Sequence, residues 1–398
     1  MGPRRSGLVA LALAVLVGLV VANVVLDSGE TEPEREPAPE PEPEVADLVT
    51  TTTTVEPTDP APSGPAGLIV GGEIGPVEGF EDHWLVVIDP MDLDPPRVVQ
   101  VPLGGGEVEQ LVRPLPPDGV IRHDPVLVHG VVVTPFGGWS LHDGSWWPLA
   151  GPTARRADRV LGTTTDGSAA IVTDDAVIEW WTDDIRRQSV TASPVVADGH
   201  GQFVGVAGRQ IVHHGPSGIY RLDLDHGDVV GLGPGSVLAL GTEVLLIEVC
   251  GDALICEHRI VEVDDGSTRS TVASPPGGPR FGIGSAVFSP DDDRLVLVLD
   301  QQRIAVIDTA NGSVLGVEAL SGPGEITGQV EMVWAPDSSA VLVVAQAEAG
   351  RRVVLLDASG GGARRLPDLE EALASPGGRF HLLVSDQGFR AEAGSARR

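Results

Sequence analysis

The length, composition and charge of the chain limit what it can be. With 398 residues it is long enough for one large domain with accessory segments. Its formal net charge of −31 would repel the phosphates of nucleic acids and of anionic membrane surfaces, so we expect no nucleic-acid partner. The 51 glycines and 33 prolines, together with the lack of long amphipathic helical patterns, predict an all-β chain with many turns.

Residues 1–26 have the pattern of a membrane-targeting segment. Arg4 and Arg5 precede an apolar run over residues 7–26, which is interrupted only by Asn23. As a helix rising about 1.5 Å per residue, this run would span roughly 30 Å, the thickness of the bilayer hydrocarbon. We therefore predict a signal anchor, or transmembrane helix, over residues 1–26. The positive charge before the span places the N-terminus in the cytoplasm and the remainder of the chain outside.

The alternative to an anchor is a cleaved signal peptide. Val20, Val21 and Ala22 offer a site of small residues, and cleavage near Ala22 would release the protein as a secreted one. The apolar run is longer than the hydrophobic region of about 7–15 residues that is usual in cleaved signals, which favours the anchor.

Residues 27–66 are predicted to form a disordered linker. The segment begins with alternating proline and glutamate, continues with the five threonines of Thr50–Thr54, and ends in a second proline-rich stretch. It has too little apolar surface to offset the entropy of folding, and its prolines and mutually repelling glutamates keep it extended. At roughly 3.1 Å per residue it would reach at most ~120 Å, so we expect it to hold the next domain away from a membrane.

The rest of the sequence repeats a pattern of short strands and turns. Its clearest unit is residues 281–320, where turn residues bound the apolar runs Leu295–Leu299 and Ile304–Ile307. Short runs rich in β-branched residues predict strands buried on both faces, and such sheets need neighbours on both sides. Strands that end in an acidic residue recur at Asp89, Asp223, Asp264, Asp308 and Asp357. In the C-terminal half their spacing of roughly 40–50 residues predicts a β-propeller.

A turn motif before several strands supports the same fold. Phe288–Asp291 and Trp334–Asp337 both read aromatic, Ser or Ala, Pro, Asp, and Ala374–Gly377 is a weaker copy. Each turn precedes an apolar strand. This combination resembles the repeats of TolB-type bacterial β-propellers, distant relatives of WD-repeat blades, most clearly over residues 281–366. The Gly-His and Trp-Asp signatures of true WD repeats are missing. The resemblance implies a propeller and a binding scaffold, and it transfers no catalytic residue.

We predict a propeller domain over residues 67–390, followed by a disordered tail over residues 391–398. Seven blades are expected, at residues 67–104, 107–150, 155–191, 192–234, 235–273, 280–321 and 328–367. Residues 373–389 contain the beginning of a blade without its end. The C-terminal strands are therefore expected to complete the first blade and close the ring, which would remove unpaired edges. A count of six or eight blades remains an alternative, because the upstream blade boundaries are poorly marked in the sequence.

The two cysteines, Cys250 and Cys256, flank a five-residue segment in a predicted hairpin. Facing cross-strand positions lie within disulfide distance, so we predict a structural disulfide and hence an oxidising compartment. Closing so small a loop would contribute roughly 2–2.5 kcal/mol on the chain-entropy estimate. His258 is near in sequence, but no further residue is seen to complete a tetrahedral set, and no metal or other cofactor is predicted.

No catalytic motif is found in the sequence. The nucleophile elbow of α/β-hydrolases, the P-loop, the Rossmann fingerprint, HExxH and the EF-hand loop are all absent. The triplet Asp291–Asp293 is interpreted as a turn rather than a Ca²⁺ site, because Trp334–Asp337 occupies the equivalent turn with one carboxylate. His213 and His214 precede a Gly-Pro pair and are interpreted as part of a turn rather than as metal ligands.

Two hypotheses about function follow. The first is a membrane-anchored extracytoplasmic propeller that binds a protein or cell-envelope partner without catalysis. The second is a propeller enzyme, lactonase-like or glycan-active, whose residues converge on the central channel from separate blades. A cluster of His, Asp or Glu with a bound metal at the channel mouth would favour the enzyme, whereas a lining of small apolar residues would count against it.

Overall fold

Strands dominate the fold, as the short apolar runs predict. The computed structural model describes residues 68–89, 97–111, 125–128, 130–134, 137–140, 146–148, 157–164, 169–173, 178–181, 188–190, 202–215, 217–223, 228–251, 256–273, 283–299, 302–320, 325–374 and 379–386. The predicted anchor, linker and C-terminal tail lie outside these residues. Within the described ranges, no helix combines the length and the apolar character needed to cross a membrane.

The described residues form 29 strands and one short helix. In chain order the strands begin with β1 (Leu68–Ile74), β2 (Trp84–Asp89), β3 (Arg97–Pro102), β4 (Gly106–Leu111), β5 (Val126–Val128), β6 (Val131–Thr134), β7 (Gly137–Ser140), β8 (Trp146–Pro148), β9 (Ala157–Thr163), β10 (Ala169–Thr173), β11 (Ile178–Trp181), β12 (Gln188–Val190), β13 (Gln202–Ala207), β14 (Gln210–Gly215) and β15 (Gly218–Asp223). They continue with β16 (Val229–Gly233), β17 (Ser236–Leu240), β18 (Val244–Cys250), β19 (Cys256–Glu262), β20 (Thr268–Thr271), β21 (Ile283–Phe288), β22 (Arg294–Leu299), β23 (Arg303–Asp308), β24 (Val314–Ala319), β25 (Ile326–Trp334), β26 (Ala340–Ala347), β27 (Gly350–Asp357), β28 (Ala363–Arg365), the helix α1 (Pro367–Ala372) and β29 (His381–Ser385).

These strands pair into seven antiparallel sheets within the described part of the chain. The second to seventh sheets each contain four strands in sequence order: β5–β8, β9–β12, β13–β16, β17–β20, β21–β24 and β25–β28. Consecutive strands joined by short turns explain this meander, since antiparallel neighbours need only a tight hairpin between them. Repeated four-stranded sheets of this kind are the arrangement of a β-propeller.

The first sheet differs from the others because it combines strands from the N-terminal part of the described chain with one strand from its C-terminal part. Its order is β1-β4-β3-β2-β29, and β29 runs antiparallel to β2, with Trp84 opposite Ser385 and Ile88 opposite His381. The predicted boundary between residues 104 and 107 is wrong, because β4 belongs to this sheet rather than to the second one. The glycines before β4 form the hairpin from β3, with Gly105 at a φ of +96°.

The first strands of the sheets contact one another in succession. Contacts join β5 to β9, β9 to β13, β13 to β17, β17 to β21 and β21 to β25. The C-terminal strand β29 contacts both β25 and β5. In the first sheet, therefore, β29 occupies the place that the earliest strand holds in each of the other sheets.

Apolar side chains fill the space between neighbouring sheets. Separate clusters lie between the second and third sheets, the fourth and fifth, the fifth and sixth, the sixth and seventh, and the seventh and first. All five residues of Leu295–Leu299 in β22 are buried, which confirms that this strand is covered on both faces. Such continuous burial explains why the apolar runs of the sequence do not alternate with polar residues.

The helix α1 is not predicted by the sequence analysis. Pro367 stands in its first turn, where the missing N–H has no intrahelical partner to lose, and Asp368 and Glu370 complement the positive end of the helix dipole. Leu369 is buried in the cluster between the seventh and first sheets. The helix contacts both β27 and β1, so it bridges these two sheets.

Candidate binding site at the ends of the first strands

A cavity of about 470 Å³ opens where the first strands end. We call it the first-strand cavity. Six sheets contribute to its wall through the ends of β9, β13, β17, β21, β25 and β29, or through the turns that follow them. Representative lining residues are Thr163, Val206, Leu240, Phe288, Trp334 and Val384. None of its described lining residues is charged or is a histidine, so the wall offers apolar surface, hydroxyl groups and backbone.

The rim of the first-strand cavity is held by the turn between β21 and β22. Asp292 adopts a φ of +59° in this turn, and its side chain is almost fully buried. Its carboxylate accepts hydrogen bonds from the backbone N–H groups of Thr242, at 3.0 Å, and Glu243, at 2.6 Å. Both belong to the turn between β17 and β18 in the preceding sheet. Asp292 therefore holds two neighbouring turns together. A Cβ at Gly241 would lie 2.4 Å from the Asp292 carboxylate, so a side chain there would displace this carboxylate.

The equivalent turn of the seventh sheet reaches back in a similar way. Ser338 has a φ of +61°, like Asp292, and it hydrogen-bonds to the carboxylate of Asp291. Burial acts to raise the pKa of Asp291, but hydrogen bonds from Ser289, Asp293 and Ser338 hold this pKa below its usual value. Desolvation by burial instead raises the pKa of Asp292, although the two backbone hydrogen bonds oppose that shift. Asp291–Asp293 therefore lie in a turn between β21 and β22, as the sequence predicts.

Replacing Asp292 by alanine is expected to destabilise the domain by about 2 kcal/mol. Two charge-assisted hydrogen bonds are lost, and relief of the buried carboxylate offsets part of the loss. Asn tolerates positive φ and keeps one acceptor, so Asp292→Asn should lose less. Denaturant unfolding measures both changes. The matched control is Asp293→Ala, since Asp293 is exposed and adjacent. Equal losses for Asp292→Ala and Asp293→Ala would show that the hydrogen bonds from Asp292 to the neighbouring turn add no stability.

The two cysteines are joined by a disulfide at the end of the β18–β19 hairpin. They face each other across the strand pair with their Cα atoms 3.9 Å apart. Two residues further along the hairpin, Glu248 faces His258, and the Glu248 Oε1 and His258 Nε2 atoms are 3.3 Å apart. Sequence reasoning missed Glu248. Strand alternation would have found it, because residues two apart on one strand share a face.

Replacing both cysteines by serine is expected to lower the unfolding free energy by about 2 kcal/mol. The loop that the bond closes is short, so the stabilisation expected from chain entropy is modest. Urea unfolding of the oxidised wild type and of the double variant gives the difference, and mass spectrometry of a non-reduced digest tests the bond itself. An unfolding curve unchanged by the double substitution would show that the bond adds no stability.

The prediction that His213 and His214 form part of a turn is wrong. Both residues lie in the strand β14, which ends at Gly215. The ring of His213 is fully buried, stacks on Tyr220 at 5.6 Å between ring centroids, and meets the edge of Phe203 at 6.3 Å. Neither ring nitrogen of His213 has a hydrogen-bond partner. This residue is therefore part of an aromatic cluster inside the fourth sheet's packing and lies away from the first-strand cavity.

Comparisons with known proteins give distant structural matches. No family model matches the sequence, and no curated protein sequence matches it. Hsv2 from Kluyveromyces lactis matches with 11% identity and a TM-score of 0.44, covering 75% of this chain and 98% of that one. Hsv2 from Kluyveromyces marxianus matches with 14% identity and a TM-score of 0.39, covering 68% and 93%.

A chain of the mitotic checkpoint complex is a further match, with 12% identity and a TM-score of 0.42, covering 62% of this chain and 79% of that one. All three TM-scores are below 0.5. The assignment of a propeller therefore rests on the strand order and pairing of this chain itself.

Proposed function

We propose that this chain is a membrane-anchored, extracytoplasmic β-propeller that binds a protein or cell-envelope partner and catalyses no reaction itself. The observation that carries the proposal is the first-strand cavity, to which six sheets contribute and among whose described lining residues none is charged. Acid–base and nucleophilic catalysis need titratable or activated groups at the reacting atoms. Apolar surface interrupted by hydroxyl groups and backbone instead suits recognition of a partner.

We propose further that the propeller is a closed ring of seven blades of the TolB type. The succession of contacts from β5 through β25 supports this, because β29 contacts both ends of the series. Pairing of β29 with β2 joins the C-terminal part of the described chain to its N-terminal part. A ring closed in this way leaves only short and protected strand edges at its centre.

The proposed location follows from the N-terminal sequence. Residues 7–26 would cross the membrane once, with the two arginines on the cytoplasmic side. The extended linker over residues 27–66 would then hold the propeller away from the bilayer. A disulfide is compatible with an oxidising extracytoplasmic compartment.

Fractionation of cells that carry a C-terminally tagged chain tests the anchor. We expect the full-length protein in the membrane fraction, resistant to salt and alkaline extraction, with the tag digested by protease added outside intact cells. N-terminal sequencing of the recovered protein distinguishes the alternatives. Soluble protein that begins at Asn23 would overturn the anchor and leave a secreted propeller.

Site-directed crosslinking tests the binding surface. A photoreactive amino acid at Thr163, an exposed residue of the first-strand cavity, is expected to give a discrete adduct in intact cells. The control position is Leu315, which is 37% exposed on the outermost strand of the sixth sheet. Adducts of equal yield at both positions, or adducts only at Leu315, would place the binding surface elsewhere.

A further inference from the structure

The tip of the β18–β19 hairpin gathers four potential metal ligands on one face. Cys250 and Glu248 are two residues apart on β18, and Cys256 and His258 are two residues apart on β19, so all four share a face. The ligand atoms of Glu248, Cys250 and Cys256 lie within 4.8 Å of one another. The His258 imidazole is not part of this 4.8 Å group, but its Nε2 atom lies 3.3 Å from the carboxylate of Glu248, which is.

We propose that reduction of the Cys250–Cys256 disulfide converts this face of the hairpin into a Zn²⁺ site with two thiolates, one imidazole and one carboxylate. Structural zinc takes four ligands in a tetrahedral arrangement, and cysteine sulfur, histidine nitrogen and carboxylate oxygen are each among the ligands that zinc binds. In the disulfide the sulfurs are bonded to each other and are not available as thiolates. The hairpin therefore has two mutually exclusive states, one closed by a disulfide and one closed by a metal.

The conversion is a balanced two-electron exchange. A dithiol reductant attacks the disulfide, its own two sulfurs become oxidised to a disulfide, and Cys250 and Cys256 leave as two thiols. Binding of Zn²⁺ then releases both thiol protons, while His258 binds as the neutral imidazole. Cys250 is exposed and Cys256 is half-buried, so a reductant has access to the bond.

The surroundings of the four groups suit a metal in this position. His258 is only 4% exposed, so its ring is held in place by the packing around it. Glu248 is partly exposed, which leaves room for its carboxylate to turn from His258 towards a bound ion. The register of β18 and β19 is unbroken from Val244 to Cys250, so the strands themselves keep the facing pairs together without a bond between the sulfurs.

Titration of the purified full-length chain with Zn²⁺ tests the proposal. Protein reduced with a phosphine, freed of reductant under anaerobic conditions, is expected to bind one Zn²⁺ per chain, and oxidised protein to bind none at the same concentrations. Co²⁺ serves as a second probe, because thiolate-to-cobalt charge-transfer bands and intense tetrahedral d–d bands report the ligand set directly. Absence of Zn²⁺ binding by the reduced protein, with its circular dichroism unchanged, would overturn the proposal.

Variants separate the four-ligand site from binding by thiols alone. Glu248→Gln and His258→Gln should each weaken Zn²⁺ binding by the reduced protein at least tenfold. The matched control is Glu257→Gln, since Glu257 lies between Cys256 and His258 and points to the opposite face, where it pairs with Arg259. Binding unaffected by Glu248→Gln and His258→Gln would show that only the thiols hold the ion and would overturn the four-ligand site.

Discussion

A chain that ends at Arg379 is expected to lose the cooperative unfolding transition of the propeller domain. This truncation removes Phe380 and the whole of β29, which is the strand that pairs with β2 and contacts β25 and β5. The backbone N–H and C=O groups along one edge of β2 would lose their partners, and the apolar cluster between the first and seventh sheets would be opened to water. Circular dichroism recorded during thermal and denaturant unfolding tests whether the cooperative transition is lost.

The control for this truncation is a chain that ends at Asp386. It keeps β29 and removes only residues that lie outside the described part of the chain. Its unfolding midpoint should equal that of the full chain. A cooperative transition at the same midpoint in the chain ending at Arg379 would show that β29 is dispensable, and it would refute closure of the ring by this strand.

A single substitution gives the same test at smaller scale. Phe380 is fully buried, its ring centroid lies 4.3 Å from the Arg351 guanidinium carbon, and its backbone N–H donates to Gln329. Phe380→Ala keeps the backbone hydrogen bond but leaves a cavity and removes the cation–π contact, so we expect a loss of about 3–5 kcal/mol in unfolding free energy. Phe380→Leu should lose clearly less, because it fills most of the space. Equal losses for both variants would argue against a cavity effect.

The sequence predicts the fold well where a turn motif or a terminal acidic residue always marks the same strand position within its sheet. In residues 281–366 the turn motifs stand before the second strands, and Asp308 and Asp357 end third strands. In the first sheet the same signals mislead by one position. The weak copy of the turn, Ala374–Gly377, precedes β29, and Asp89 ends β2, yet these are the first and second strands of their sheet. The helix α1 stands before β29, where a repeat would have placed another strand.

The reason for this difference is that a sequence motif encodes a turn and an apolar strand, whereas sheet position depends on contacts between distant segments. β29 is placed by its pairing with β2, nearly 300 residues earlier in the chain. The first-strand cavity depends on six sheets at once, so no single stretch of sequence contains it. Asp292 is a further example. The sequence Asp291–Asp293 predicts a turn, but it does not predict that the Asp292 carboxylate accepts hydrogen bonds from the amides of Thr242 and Glu243.

Acidification from pH 7 to pH 4 is expected to destabilise the domain through His213 by about 3 kcal/mol. Burial, and to a smaller extent the neighbouring His214, lowers the pKa of His213 from 6.5 to about 4. The folded state thus favours the neutral imidazole, whereas the unfolded chain binds a proton below about pH 6.5. Above about pH 6.5 His213 is neutral in both states and causes no loss of stability. As the pH falls from 6.5 towards 4, the unfolding free energy decreases, by about 1.4 kcal/mol for each unit of difference between the two pKa values.

His213→Phe separates this effect from the titration of the many carboxylates. Phenylalanine keeps a flat ring against Tyr220 and Phe203, and it removes two buried ring nitrogens that have no hydrogen-bond partner. The variant should therefore be more stable than the wild type at pH 7 by about 1–3 kcal/mol, with a gain that increases at pH 4. His214→Gln, a change at the adjacent half-buried position, is the control and should leave the slope of stability against pH nearly unchanged. Parallel pH profiles for His213→Phe and the wild type would show that His213 does not cause the acid sensitivity.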